Sequence, residues 1–278
     1  MSKPPHFDTV ILSANEDPLY IDFWPDVAWA YKRMFPNVEV QLAFLTRRED
    51  DDPLVLDLAQ HGTVWTYAPI PGVPEPNQAK MARHYLASKM GNKVVYINDV
   101  DLFPLSADWI CEKTSQRPDG KFLLVGAEVY DAHTPEEKDA STAPASMMTG
   151  EGWLWKQFIN PWDYTFQELM KFLADPERAG KPHSRSEDIT NDVYHENCGC
   201  FSDEHMIRRM MRMNPVPKHH VDRGYVTNVD TLDRMGWRCD EGKLYRHEYL
   251  EAHMCRPRKD HPEKAEQLLK YIEKTYHE

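Results

Sequence analysis

Asp99 and Asp101 stand two residues apart, directly after the apolar run Val94-Val95-Tyr96-Ile97. In extended chain, residues two apart face the same side, so the pair would present two carboxylates together at the carboxyl end of a buried strand. Like charges held close repel unless a proton or a cation intervenes. A divalent cation such as Mg2+ or Mn2+ answers this, because it takes hard oxygen ligands, commonly one or two carboxylates with substrate phosphates completing the shell. The D-x-D spacing alone is a weak signal, since Asp is common at strand ends and turns. Asp50 and Asp52 repeat it inside the charged loop Arg47–Pro53, where they are expected to bind nothing. Only Asp99 and Asp101 follow a hydrophobic strand and lead into a second apolar turn, Leu102-Phe103-Pro104-Leu105.

The segment before that strand reads as a helix from Asn77, a potential cap, to Met90, closed by Gly91. Met81, Ala82, Tyr85 and Leu86 form its buried face, while Lys80 and Arg83, three apart, share another. That second face is either a solvated basic stripe or a source of one cation aimed at a diphosphate.

These residues need a scaffold. Thr9–Ser13, Val38–Phe44, Thr63–Tyr67 and Val94–Ile97 read as strands. Helical signals lie between them: Phe23, Val27, Ala30, Tyr31 and Met34 after Pro25, then Leu54–Gln60, then the helix bearing Arg83. Ala14–Pro18 reads as a turn-rich loop, and Pro69–Pro76, with four prolines in eight residues, as an irregular one. Such alternation predicts an α/β fold with a mostly parallel central sheet flanked by helices. Ligands of such sheets bind beyond the carboxyl ends of the strands, here the loops after Ser13 and Ile97. Further on, Phe122–Ala127 reads as a strand, Asp131–Pro144 and Ala174–Asp192 as polar loops, and Ala145–Phe158 as an apolar stretch. Ser202 caps an expected helix with a Met206, Met210 and Met213 stripe. His261–Glu278 is an amphipathic helix with Ala265, Leu268, Leu269, Ile272 and Tyr276 on one face.

The run from Lys80 to Leu105, KMARHYLASKMGNKVVYINDVDLFPL, places a basic helix, a loop and a hydrophobic strand ending in D-x-D in succession. This arrangement resembles the centre of the GT-A glycosyltransferases, and the opening VILSANEDPLY resembles their nucleotide-binding start. The likeness covers roughly residues 9–130, with small viral and bacterial members the nearest. It implies one GT-A-like domain over 1–278: a nucleotide-sugar-binding half to about 130, an acceptor-binding half to about 260, and a C-terminal helix.

The resemblance also implies roles. Asp101 would ligate Mn2+ (or Mg2+), with Asp99 at the donor ribose or the same metal. Ser13, Ala14 and Asn15 would line the base pocket, and Tyr20 would stack on the base. Lys80, Arg83 and Asn98 would face the donor sugar or its phosphates. A C-terminal histidine, His253, would be a third metal ligand, with Arg256, Arg258 and Lys259 neutralising the diphosphate. A carboxylate at a helix start, Asp203 in preference to Glu204, would be the base for an acceptor hydroxyl; acidic residues there also simply favour the helix dipole. The donor would be a nucleoside diphosphate sugar, in the first place UDP-linked, and the acceptor a glycan, glycoconjugate or other hydroxyl. Two other classes fit the same residues: a metal-dependent nucleotidyltransferase, and a non-catalytic sugar-binding protein.

Composition narrows the field. The net charge of -12 speaks against nucleic acid, which needs clustered Lys and Arg. No apolar run reaches the roughly 18–20 residues of a membrane span, and Met1–Asp8 has no signal-peptide character. A soluble, cytoplasmic protein is expected; oligomeric state is not legible. Five cysteines suit a reducing compartment. The Cys198 and Cys200 spacing, even with Cys239 and Cys255, does not match a zinc site. Twelve glycines and the lack of G-x-S-x-G, H-E-x-x-H or a Gly-rich phosphate loop argue against several other enzyme classes. The aromatic stretch Trp153, Trp155, Phe158, Trp162, Tyr164 and Phe166 is expected to be core rather than a sugar-stacking surface.

Overall fold

The expected strands appear as β1 (Thr9–Asn15), β2 (Glu39–Leu45), β3 (Thr63–Tyr67) and β4 (Val94–Ile97). The structure, a computed structural model, describes residues 5–126, 146–174, 207, 210, 213–222, 224 and 229–276. Between the strands run α1 (Pro18–Ile21), α2 (Trp24–Met34), α3 (Pro53–Ala59) and α4 (Glu75–Ala87). Helix α1 starts at Pro18, the last residue of the loop expected over Ala14–Pro18. Asp17 caps it by accepting from the Leu19 N–H, and Pro18 supplies the first helical residue. Asp50 and Asp52 both take hydrogen-bond partners within the fold. Asp52 caps α3 through the Leu54 N–H, and Asp50 accepts from the Thr66 hydroxyl.

Helix α4 corrects the reading of its ends. Pro74 is the N-cap, Asn77 is a buried residue of the first turn, and the helix stops at Ala87 with Ser88 as C-cap. Gly91, in the left-handed region at φ 61°, belongs to the turn before β4. Gln78 ties the proline-rich loop to this helix. Its buried amide accepts from the Ile70 N–H and donates to the Ile70 and Val73 carbonyls at 2.8–2.9 Å.

After β4 come β5 (Leu102–Pro104), α5 (Ala107–Thr114), β6 (Phe122–Val125), β7 (Met148–Glu151), α6 (Gly152–Ile159) and α7 (Phe166–Ala174). The chain continues with β8 (Lys218–Val221), β9 (Thr231–Asp233), α8 (Glu241–Tyr245), β10 (Glu251–His253), a 3-10 turn (Arg258–Asp260) and α9 (Pro262–Thr275). The central sheet has seven strands in the order β3-β2-β1-β4-β7-β6-β8, parallel except where β7 runs against β4 and β6. A second sheet, β5-β10-β9, has three.

Alternation along each strand splits the core into two layers. Val10, Leu12 and Tyr96 face α2 and α9, whereas Ile11, Val95 and Ile97 face α4, α6 and α7. The C-terminal helix forms over Pro262–Thr275, shorter than read, with Ala265, Leu268 and Ile272 fully buried and Leu269 and the C-cap Tyr276 partly so. The aromatic stretch divides. Trp155, Phe158 and Phe166 are core, but Trp153 and Trp162 are exposed. The methionine stripe divides too: Met210 is buried and Met213 exposed, while Met206 and Ser202 lie outside the described residues.

The sheet closes tightly where α6 begins. A Cβ on Gly152 would stand 2.6 Å from backbone atoms of Met90 and Gly91, and the Gly152 and Trp153 N–H groups donate to Lys93 and Gly91 carbonyls. Backbone on both sides leaves no flexible atom to yield. Gly152→Ala should therefore lower the unfolding free energy by about 1–3 kcal/mol, read from the denaturant midpoint; an unchanged midpoint would show that the two segments are not in contact.

Candidate active site

Strands β1 and β4 run side by side, and their carboxyl ends open into one cleft. Ser13, Ala14 and Asn15 at the end of β1 form one wall, with Tyr20 of α1 beyond them. Pro76, Ala79, Lys80 and Arg83 of α4 form another, and Asp99, Val100 and Asp101 the floor. The space between these walls is about 430 Å3, a volume that includes open solvent.

The acidic pair lies one step beyond the strand. β4 ends at Ile97, and residues 99–102 turn, the Leu102 N–H donating to the Asp99 carbonyl at 3.2 Å. A turn, not strand alternation, therefore sets the two side chains, and they take different partners. Asp99 pairs with Arg83, whose guanidinium also donates to the Asn98 carbonyl at 3.0 Å. Arg83 is buried, so the reading of its helix face as solvated does not hold for it. Asn98 is buried as well. Its amide donates to the Tyr31 hydroxyl, which puts Asn98 under the floor of the cleft rather than in its lining.

Asp101 is placed by the small sheet. The Met254 N–H donates to the Asp101 carbonyl at 2.9 Å, extending the antiparallel pairing in which His253 faces Leu102. On its other side His253 is in register with Asp233 of β9. Three distant stretches thus meet at one point. The Asp101 Oδ2 is 3.3 Å from His253 Nε2, 3.2 Å from Arg234 Nη1 and 3.5 Å from Arg256 Nε. Arg234 Nη1 is also 2.6 Å from His253 Nε2. The Arg256 guanidinium lies 4.7 Å from the centre of the Tyr20 ring, stacked on its face.

Burial would raise the pKa of the Asp101 carboxyl. The hydrogen bond and charge of His253, with Arg256 and Arg234, outweigh that and hold it below the ordinary carboxylate range. For His253, burial opposes the charged ring and Asp101 favours it, the balance lying above the ordinary histidine value. The Arg234 contact acts the other way. A guanidinium N–H can donate to Nε2 only through its lone pair, whereas the bond to Asp101 needs a proton there, so the two neighbours make opposite demands on that nitrogen; Nδ1 lies 3.7 Å from Asp233 Oδ2. The neutral ring is the form that ligates metal.

Among the described residues no three His, Cys, Asp or Glu side chains are gathered as a metal centre. The donor set nonetheless suits a hard divalent cation in part. Cis ligands of an octahedral ion bound at about 2.1 Å stand about 3 Å apart, and Asp101 Oδ2 and His253 Nε2 are 3.3 Å apart. A guanidinium nitrogen already sits at hydrogen-bonding distance from both, which marks the spot as a seat for positive charge. Asp99 is the donor that would have to leave its Arg83 partner.

Ser13, Ala14, Asn15, Tyr20, Lys80, Arg83, Asp99 and Asp101 all line the cleft, and His253 and Arg256 join it through Asp101. Arg258 does not; it is paired with Asp26 of α2, and Lys259 is exposed. Asp203 and Glu204 lie outside the described residues, as do Cys198 and Cys200. Arg234 and Asp233 were missed. Their strand, β9, is three residues long, too short to leave a periodic pattern.

The chain matches no family model and no curated protein. Its fold does have solved counterparts. The structure of an active-site mutant of LgtC superposes with a TM-score of 0.52 at 11% identity, over 96% of this chain and 95% of that one. A galactosyltransferase LgtC complex with donor and acceptor sugar analogs gives 0.49 over the same shares at 11% identity. A glucose-1-phosphate thymidylyltransferase from Bacillus anthracis gives 0.37 over 77% of this chain and 86% of that one, also at 11%. This chain has the GT-A fold. In that GT-A frame the cleft beyond β1 and β4 lies where the topology of an open parallel sheet places ligands.

A carboxylate whose folded pKa lies below its unfolded value adds stability that is present above about pH 4 and lost as pH falls through the folded value. The stability of the metal-free wild type relative to Asp101→Asn should therefore decline as pH drops below about 4. Urea unfolding of both proteins across that range measures it, and a difference independent of pH would overturn the charge assignment.

Proposed function

We propose that the protein is a glycosyltransferase that moves a sugar from a nucleoside diphosphate sugar, in the first place UDP-linked, to an acceptor hydroxyl. The observation that carries this reading is the meeting of Asp101 and His253 at 3.3 Å beside the cleft at the carboxyl ends of β1 and β4. The GT-A fold agrees with it.

In this reading Ser13, Ala14 and Asn15 bound the nucleoside, and Tyr20 offers a ring whose one face already carries Arg256. Asp101 and His253 would hold Mn2+ or Mg2+, joined by Asp99 once it is released from Arg83. The cation, when bound, would supply charge to the leaving diphosphate. Arg83, Arg234 and Arg256 add fixed positive charge around the same point, and preorganised charge of this kind favours a departing anion. Arg83 is held by the Asn98 carbonyl as well as by Asp99, so it would keep one partner if Asp99 were to ligate a metal. Asp203, with Glu204 as second choice, is the proposed base for the acceptor hydroxyl.

A thermal-unfolding panel tests the donor and the metal together. A ligand at a hundredfold excess over its Kd stabilises the folded state by about 2.7 kcal/mol, worth roughly 5–10 °C in a chain of this size. UDP and UDP-sugars should give such a shift with Mn2+, far less with EDTA, and none in Asp101→Asn. No shift with any nucleotide sugar and metal would end the donor assignment. Among products, UDP supports sugar transfer and pyrophosphate would support nucleotidyl transfer. Sugar binding that is unaltered by Asp101→Asn, without turnover, would point to a non-catalytic sugar-binding protein.

A further inference from the structure

The carboxylate–imidazole pair of Asp101 and His253 is already held by a cation belonging to the chain. Arg234 Nη1 lies 2.6 Å from Nε2 of His253 and donates to Oδ2 of Asp101 at 3.2 Å. These are the two atoms that the proposed function assigns to a divalent ion. A guanidinium is never deprotonated at working pH, so its charge cannot be removed to clear the site; the side chain has to swing away. It has room to do so, being about a quarter exposed and directly after a short edge strand of the small sheet. Arg256 touches the same carboxylate oxygen from another direction at 3.5 Å, but among its described contacts none is with His253, and its plane is stacked on Tyr20.

We propose that Arg234 is a resident cation of the metal seat, which holds Asp101 and His253 together in the ligand-free protein and must be displaced before a divalent ion can bind. The inference rests on the metal reading of Asp101 and His253. Because two charge-assisted contacts are given up on metal entry, the free protein takes the ion weakly. The diphosphate offers the displaced guanidinium a replacement anion, so metal and nucleotide bind cooperatively, each favouring the other.

Mn2+ binding to the purified protein, followed by loss of the free-ion electron paramagnetic resonance signal, tests this without any turnover. Mn2+ alone should bind Arg234→Gln about tenfold or more tightly than wild type, and added UDP should tighten Mn2+ binding in the wild type more than in that variant. Arg234→Lys, which keeps the charge but loses the planar fork, should show a smaller gain and carries the test if the Gln variant does not unfold cooperatively. Equal Mn2+ affinity in wild type and both variants, with binding abolished in Asp101→Asn, would overturn the role of Arg234 and leave the metal site standing. An equal gain in Arg256→Gln would show a bulk charge effect and also overturn it. No Mn2+ uptake by wild type or variants, even with UDP, would remove the metal reading and this inference with it.

Discussion

The structure around the cleft is organised by one buried carboxylate. Asp101 is nearly inaccessible to solvent and ionised, a state that an apolar interior would not tolerate by itself. It is tolerated because two guanidinium groups and an imidazole converge on one of its oxygens. Those partners come from different strands and loops, so satisfying a single charge obliges residues far apart in sequence to meet. Breaking such a cluster from one side leaves the remaining members uncompensated, which ties the geometry of the site to the folding of its scaffold.

Much of this was legible in the chain. The apolar runs of β1 and β4, the alternation in β2 and the helical spacing in α2 and α9 follow directly from where apolar residues fall, because each element buries one face or both against a large core. The place of Asp99 and Asp101 just beyond a hydrophobic strand was legible, but the turn that gives them different partners was not; Asp52 is a helix cap and Asp50 bonds Thr66 of β3. His253 and Arg256 came from family likeness, and the structure sets both beside Asp101.

What was not legible has a common physical origin. The small sheet is built from strands of three residues, each too short to show a period, and its register is a tertiary property. Arg234 owes its position to that register, so no local pattern announces it. Burial of Arg83 was hidden for a related reason: a cation three residues from a lysine looks like a solvated face until the strand end it reaches is in view. The extent of α4 was misjudged because Asn77, a good capping type, is overruled by Pro74 and by the buried Gln78 tie to the loop before it.

The three-stranded sheet carries a consequence for biosynthesis. Its central strand, β10, lies late in the sequence, while β5 follows β4 early on. A chain emerging from the ribosome can pair β1, β2, β3 and β4 long before β10 exists. Through most of that interval the Asp101 carboxylate is without His253, exposed to water and uncommitted. The half that bears the cleft walls can consolidate first, and the charged cluster at its floor is completed last, when β10 arrives.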